Sequence, residues 1–119
     1  MSRVDESLPR KEALRGKKNF ERVYGSGDVH RTKHIVLFCL REAVEERKAG
    51  FVASKRLGKA AKRNRIRRRL REAYRKLRAE LSDKAHLVFV ARGGIAEVKW
   101  EGLLGEMNVL LMKAGLKKS

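Results

Sequence analysis

Between residues 55 and 78 the chain carries thirteen lysines and arginines against one acid, Glu72. Through the same stretch run Ile66, Leu70, Ala73, Tyr74 and Leu77, continued by Leu81, an apolar stripe with the 3.6-residue period of an α-helix. Together these patterns predict one long helix starting after Gly58 and ending at Ser82-Asp83. At about 100° per residue, Asn64, Arg67, Arg68, Arg71, Arg75 and Arg78 fall opposite Ile66, Leu70 and Leu77. Arg65, Arg69 and Lys76 line a flank. The apolar stripe must be buried against the rest of the fold, and the opposite face repels itself. Like-charged pairs at i, i+4, such as Arg67 with Arg71 and Arg71 with Arg75, each destabilise an isolated helix by roughly a few tenths of a kcal/mol.

The same imbalance holds for the whole chain. Its 119 residues, enough for a single domain, have 31 Lys plus Arg against 14 Asp plus Glu, a net charge of +17. Such an excess strains a compact fold unless a polyanion neutralises it. Nucleic acid, an anionic membrane and an acidic protein all qualify on charge alone. The apolar runs 35–40 and 87–91 are too short to span a bilayer, and the first residues lack the apolar core of a signal peptide. The lone Cys39 sits inside an apolar run and reads as a small buried thiol in a reducing compartment. A cytoplasmic protein with no membrane partner is expected.

Residues 1–16, broken by Pro9 and Gly16, read as a mobile polar and basic arm, and residues 17–119 as one domain. Phe20, Val23 and Tyr24 mark one face of a short helix over 17–24, stopped by Gly25-Ser26-Gly27-Asp28. Residues 35–40 read as a strand covered on both faces, and 50–54 as a second strand pairing with it as a hairpin. Residues 86–91 form another strand, and Gly93-Gly94 a break. Trp100, Leu103, Leu104, Met107, Leu110, Leu111 and Ala114 give the apolar face of a closing helix. The expected fold class is α+β, with helices packed on one small sheet.

Two positions on the basic helix stand apart. Asn64 has poor helix propensity yet sits among arginines, either as a contact to the partner or as a local cap. Lys62 and Arg63 project by angle toward the apolar side, and in the first turn they are expected to clear the sheet edge and reach around it. Arginine outnumbers lysine here, and a guanidinium grips phosphate with two parallel bonds.

The run Ser54-Lys55-Arg56-Leu57-Gly58-Lys59-Ala60-Ala61-Lys62-Arg63-Asn64-Arg65-Ile66-Arg67-Arg68-Arg69-Leu70-Arg71-Glu72 resembles the signature of the bacterial ribonuclease P protein family. There a strand ending in Ser-Lys-Lys leads through a glycine turn into a helix with an Arg-Asn-Arg core. The resemblance extends over most of the chain from Leu14 and weakens after Arg92. Arg56 replaces the second lysine, and Ala61 stands where the family usually has valine, which is expected to loosen helix packing. The resemblance implies an α-β-β-β-α-β-α order, with a small mostly antiparallel sheet and a left-handed βαβ crossover through the basic helix. It implies a subunit that assists Mg²⁺-dependent removal of the 5′ leader of precursor tRNA by a catalytic RNA. The Mg²⁺ would be held mainly by RNA phosphates, with no organic cofactor and no protein partner required. Lys55, Arg56, Lys59, Lys62, Arg63, Asn64, Arg65, Arg67, Arg68, Arg71 and Arg75 would hold the ribonuclease P RNA. A cleft of Phe20, Tyr24 and Phe38, rimmed by Lys17, Lys18 and Arg22 with Arg56, would hold the single-stranded leader. From helical spacing alone Phe20 and Tyr24 read more readily as core; the resemblance points to the cleft.

Rival classes find little footing. His30, His34 and His86 are dispersed, and no carboxylate pair has metal-ligand spacing within one element, so this chain is not expected to carry hydrolytic chemistry itself. A ribosomal protein or RNA chaperone shares the charge, and co-purification with ribosomes would mark it. A basic-region zipper fails because no leucine heptads follow Leu81.

Overall fold

The computed structural model describes residues 10–81 and 84–117. Three helices, α1 (Lys17–Ser26), α2 (Ala60–Leu77) and α3 (Trp100–Lys113), accompany four strands, β1 (Asp28–Arg31), β2 (Ile35–Leu40), β3 (Lys48–Val52) and β4 (His86–Ala91). The chain order is therefore α-β-β-β-α-β-α, an α+β fold. Short 3-10 turns lie at Arg10–Glu12, Lys55–Leu57, Arg78–Glu80 and Ile95–Glu97.

The sheet order is β1-β2-β4-β3, antiparallel except for the parallel pair β3 and β4. This corrects the expected hairpin: β2 and β3 are not neighbours, because β4 lies between them. β4 has the apolar side chains on both faces that a central strand requires (Leu87, Val88 and Phe89 are all buried), and it pairs with β2 from Ile35↔Ala91 to Leu40↔His86. β1 is a short, mostly exposed edge strand.

Alternation along β2 separates two cores. Ile35, Leu37 and Cys39 face the cluster built with Ile66, Leu70, Ala73 and Tyr74 of α2 and Leu103, Met107, Leu110 and Leu111 of α3. Leu40 and Val88 face the other way, toward Val23 of α1 and Leu14. Val36 and Phe38 on that second face are only half-buried, so β2 is covered fully on one side and partly on the other. The apolar stripe of α2 is buried as its period requires. Ala61, by contrast, is exposed, so its small size does not loosen packing.

Gly50 explains how α1 approaches so closely. A Cβ there would lie 2.5 Å from Phe20 Cζ. Gly50→Ala is expected to push Phe20 out of its seat and destabilise the fold by roughly 1–3 kcal/mol, read as a lowered melting midpoint.

Two polar clasps close the fold. Glu106 of α3 accepts from Thr32 Oγ1 (2.6 Å) and the His34 backbone N–H (3.0 Å), and His34 Nδ1 lies 2.6 Å from its other oxygen. Burial pushes the Glu106 carboxyl up, but the Thr32 and His34 hydrogen bonds outweigh it and hold it below the ordinary value. At the opposite end Glu12, only 6% exposed, accepts from Tyr74 Oη (2.5 Å), Arg47 Nε (3.2 Å) and Arg78 Nε (2.9 Å). Arg47 also donates to the Arg78 and Leu81 carbonyls, fastening the C-terminal end of α2.

The N-terminal arm is accordingly shorter than expected. Leu14 is buried, its N–H donates to the Ala49 carbonyl at 2.9 Å, and Ala13 bridges Ala49 in parallel, extending the sheet past β3. Of the predicted mobile arm, residues 1–9 lie outside the described residues.

Candidate nucleic-acid interface

The outward side of α2 and the turn before it carry the basic ladder. Lys55 and Arg56 are exposed in the 3-10 turn, and Gly58 follows with φ 133°, a backbone that favours glycine. Lys62 packs against that turn: a Cβ on Gly58 would meet its Cδ at 2.8 Å. Lys59 is the exposed residue preceding α2. Arg63, expected to reach around the sheet edge, instead folds back and donates from Nε to the Gly58 carbonyl at 3.2 Å.

Further along, Arg65, Arg68 and Arg71 are exposed. The Arg71 guanidinium stands 6.0 Å from the centre of the Phe51 ring, a cation–π contact that leaves its edge toward solvent. Asn64 Oδ1 accepts from Arg67, whose other terminal nitrogen donates to the Ala53 carbonyl at 3.5 Å. Asn64 thus orients an arginine, and its own amide N–H₂ points to no described partner.

Three members of the sequence-derived wheel are already engaged within the protein, Arg75 by a neighbour on its own helix and Arg78 and Arg69 by long-range partners. Arg75 is half-buried and paired with Glu72 at 2.6 Å, one turn away on the same helix. Arg78 is held by Glu12, not by solvent. Arg69 turns toward the Ile95–Glu97 turn and donates to the Ile95 carbonyl (3.3 Å) and the Val98 carbonyl (2.5 Å). What remains exposed without a protein carboxylate, among the described residues of this stretch, is Lys55, Arg56, Lys59, Arg65, Arg68, Arg71 and Lys76.

A second surface lies on the other face of the sheet. Phe20 and Tyr24 of α1 and Phe38 of β2 come together there: Tyr24 meets Phe38 edge-on with centroids 4.9 Å apart, and Phe20 lies 6.4 Å from Tyr24. Phe38 therefore shares the α1 face, which its sequence context left open. Phe20 is half-buried over Gly50 and acts largely as core, whereas Tyr24 is 40% exposed. Partial burial raises the Tyr24 phenol, which stays neutral near pH 7. Val36, Val52 and Val90, aligned across β2, β4 and β3, continue the surface as half-buried apolar positions.

The expected rim is uneven. Lys17 and Lys18 are exposed, Lys17 being 3.9 Å from Glu21. Arg22 donates to the Ala43 carbonyl at 3.4 Å and acts on His86, at the end of the sheet where β2 and β4 finish their pairing. Burial lowers the His86 pKa, and Arg22 and Lys48 lower it further.

Sequence reasoning missed Phe51 as the seat of Arg71 and the turn Ile95–Glu97 as a wall beside α2. Gly93-Gly94 signalled a turn, but nothing local shows that Arg69 fastens it to the helix. Among the described residues no group of three or more His, Cys, Asp or Glu is placed to hold a metal ion, and no helix is long and apolar enough to cross a membrane.

Comparison with known proteins gives a consistent result. The chain matches the family model described as Ribonuclease P over residues 8–115. It is 36% identical over 103 residues to the "Ribonuclease P protein component" of Caldanaerobacter subterraneus subsp. tengcongensis, covering 87% of this chain and 89% of that one. A protein of the same name from Desulfovibrio desulfuricans is 36% identical over 110 residues, with 89% and 85% covered. Among solved structures, the Staphylococcus aureus RNase P protein superposes with a TM-score of 0.78 at 20% identity, covering 88% and 96% of the two chains. The Thermotoga maritima RNase P protein gives 0.74 at 22% identity, with 83% and 94% covered. At those identities the two structures speak for the fold alone.

Proposed function

Because the chain belongs to the ribonuclease P protein family, we propose that it is the protein subunit of a cytoplasmic ribonucleoprotein that removes the 5′ leader of precursor tRNA. In this reading the basic side of α2 binds the ribonuclease P RNA and the aromatic surface under α1 binds the single-stranded leader. The observation that carries it is the state of Arg65, Arg68 and Arg71: exposed, on one rigid helix, and free of any protein carboxylate among the described residues. Phosphates are the counter-charge such a ladder suits best, since each guanidinium can donate two parallel bonds to one phosphate.

Tyr24 and Phe38 suit a single strand because any base has a π-face to stack, worth roughly 1–3 kcal/mol per base. Lys18, with Arg56 of the 3-10 turn that follows β3, suits the adjoining phosphates. The described residues do not fit a protein-held Mg²⁺ site, so no step is assigned to a metal on this chain. Mg²⁺ belongs, in this proposal, to RNA phosphates, and hydrolysis to the RNA.

The test mixes the protein with a bacterial ribonuclease P RNA and precursor tRNA at low Mg²⁺. Cleavage should require the RNA and improve with the protein; cutting by the protein alone would overturn the reading. With Tyr24→Ala, precursor tRNA affinity is expected to fall about 5- to 100-fold while mature tRNA affinity holds. Equal losses on both would remove the leader from this surface.

A further inference from the structure

A groove of about 400 Å³ runs between the first half of α2 and the Ile95–Glu97 turn. Ile66 and Ala96 supply its apolar lining, and Lys62, Arg65 and Arg68 its cations. Glu97 stands on the wall opposite those cations, on the turn and not on the helix. Arg69 fixes the wall in place through its bonds to the Ile95 and Val98 carbonyls. The groove's width is therefore set before any ligand arrives.

Glu97 is the informative residue. It is exposed and forms no side-chain hydrogen bond or ion pair among the described residues, although Lys62, Arg65, Arg68 and Arg69 all line the same groove. If the groove simply held a phosphate, this carboxylate would repel it. A ligand that suits every side of the groove has an apolar face for Ile66 and Ala96, N–H donors for Glu97, and anionic groups at its flanks for Lys62, Arg65 and Arg68. An unstacked nucleotide in a single-stranded loop or bulge has this combination.

Resting on the RNA-binding reading above, the geometry points to a slot for one extrahelical guanine of the RNA bound by α2. The guanine N1–H and N2–H₂ groups donate side by side to the two Glu97 oxygens, and the cations of α2 take the phosphates on either side. Arg65 and Arg68 thus serve as backbone contacts, and Glu97 supplies base selectivity that an arginine ladder alone lacks.

The test assembles full-length protein with a bacterial ribonuclease P RNA and probes the pairing edges of its guanines chemically. Wild-type protein should protect one guanine that is reactive in the RNA alone. Glu97→Ala should restore its reactivity and weaken RNA affinity roughly 5- to 30-fold, with Glu97→Gln intermediate because its amide still accepts one bond. A thermal melt checks that each variant is folded. Tighter binding by Glu97→Ala would mean that the groove holds a phosphate, and unchanged affinity with unchanged protection that it holds nothing; either overturns the inference while leaving the RNA-binding reading standing. Absence of any protein-dependent protection of the RNA would instead remove that reading, and this inference with it.

Discussion

Replacing Arg68 and Arg71 together with alanine is expected to weaken assembly with a bacterial ribonuclease P RNA by about a hundredfold near 0.1 M salt, and to flatten its salt dependence. Each phosphate neutralised contributes about 0.7–0.9 to the slope of log affinity against log salt. Loss of two contacts should therefore reduce the slope by roughly 1.4–1.8. Both side chains are exposed, so the fold should survive; removing Arg71 from the Phe51 face loses about 0.5–1 kcal/mol at most. Arg75→Ala is the internal control. That guanidinium is already paired with Glu72, so its removal should change the slope far less. A titration from low to high salt reads all three proteins, and an unchanged slope in the double variant would take the ladder out of the interface.

The second large effect concerns stability. Glu12→Ala is expected to destabilise the domain by roughly 2–4 kcal/mol, because it strands Arg47 and the buried Tyr74 hydroxyl without their shared acceptor. Glu12→Gln keeps an acceptor and should lose less. Burial pushes the Glu12 carboxyl up, yet the hydrogen bonds from Arg78 and Tyr74 and the charges of Arg78 and Arg47 prevail, so its folded pKa lies below the ordinary 4.5. A carboxyl with a depressed folded pKa binds fewer protons folded than unfolded. Its contribution is therefore complete above about pH 4.5 and disappears as pH falls through the folded value. Glu106 acts in the same direction. Denaturant unfolding at a series of pH values should show wild type weakening in acid and Glu12→Gln with a flatter profile. Parallel profiles for the two proteins would show that Glu12 does not titrate as described.

The elements that could be read from the sequence are those whose signal is local. The 3.6-residue stripe of α2, the apolar runs of β2 and β4, and the face of α3 each follow from periodicity within one segment. Strand neighbours do not. A β-rich run followed by a short charged connector suggests a hairpin, and only the later arrival of β4 shows that the two strands are separated. β1 offered almost no pattern, since Asp28, Val29 and Arg31 are exposed at a sheet edge. The candidate interface follows the same rule. Helical angles put Arg68 and Arg71 on the exposed side, where the structure has them, because no distant carboxylate or carbonyl among the described residues draws them in; Arg71 meets only the Phe51 ring. Arg69 and Arg78 lie among similar neighbours in sequence, but carbonyls and a carboxylate brought in by the fold have already engaged them, whereas Arg75 is taken by Glu72, a local i, i+3 pairing within the helix. Phe20 lay between two roles, and Gly50, some thirty residues later, drew its ring into the core.

The place of β4 bears on how the chain assembles as it leaves the ribosome. Until residues 86–91 emerge, β2 and β3 have a vacant lane between them and no ladder to join them. The nascent N-terminal half is thus left open while the arginine-rich α2 is already outside the tunnel. Pairings this distant along the chain close slowly, which gives polyanions an early opportunity to dock on a half-finished protein. Synthesis in the presence of RNA should therefore yield more folded product than synthesis without it.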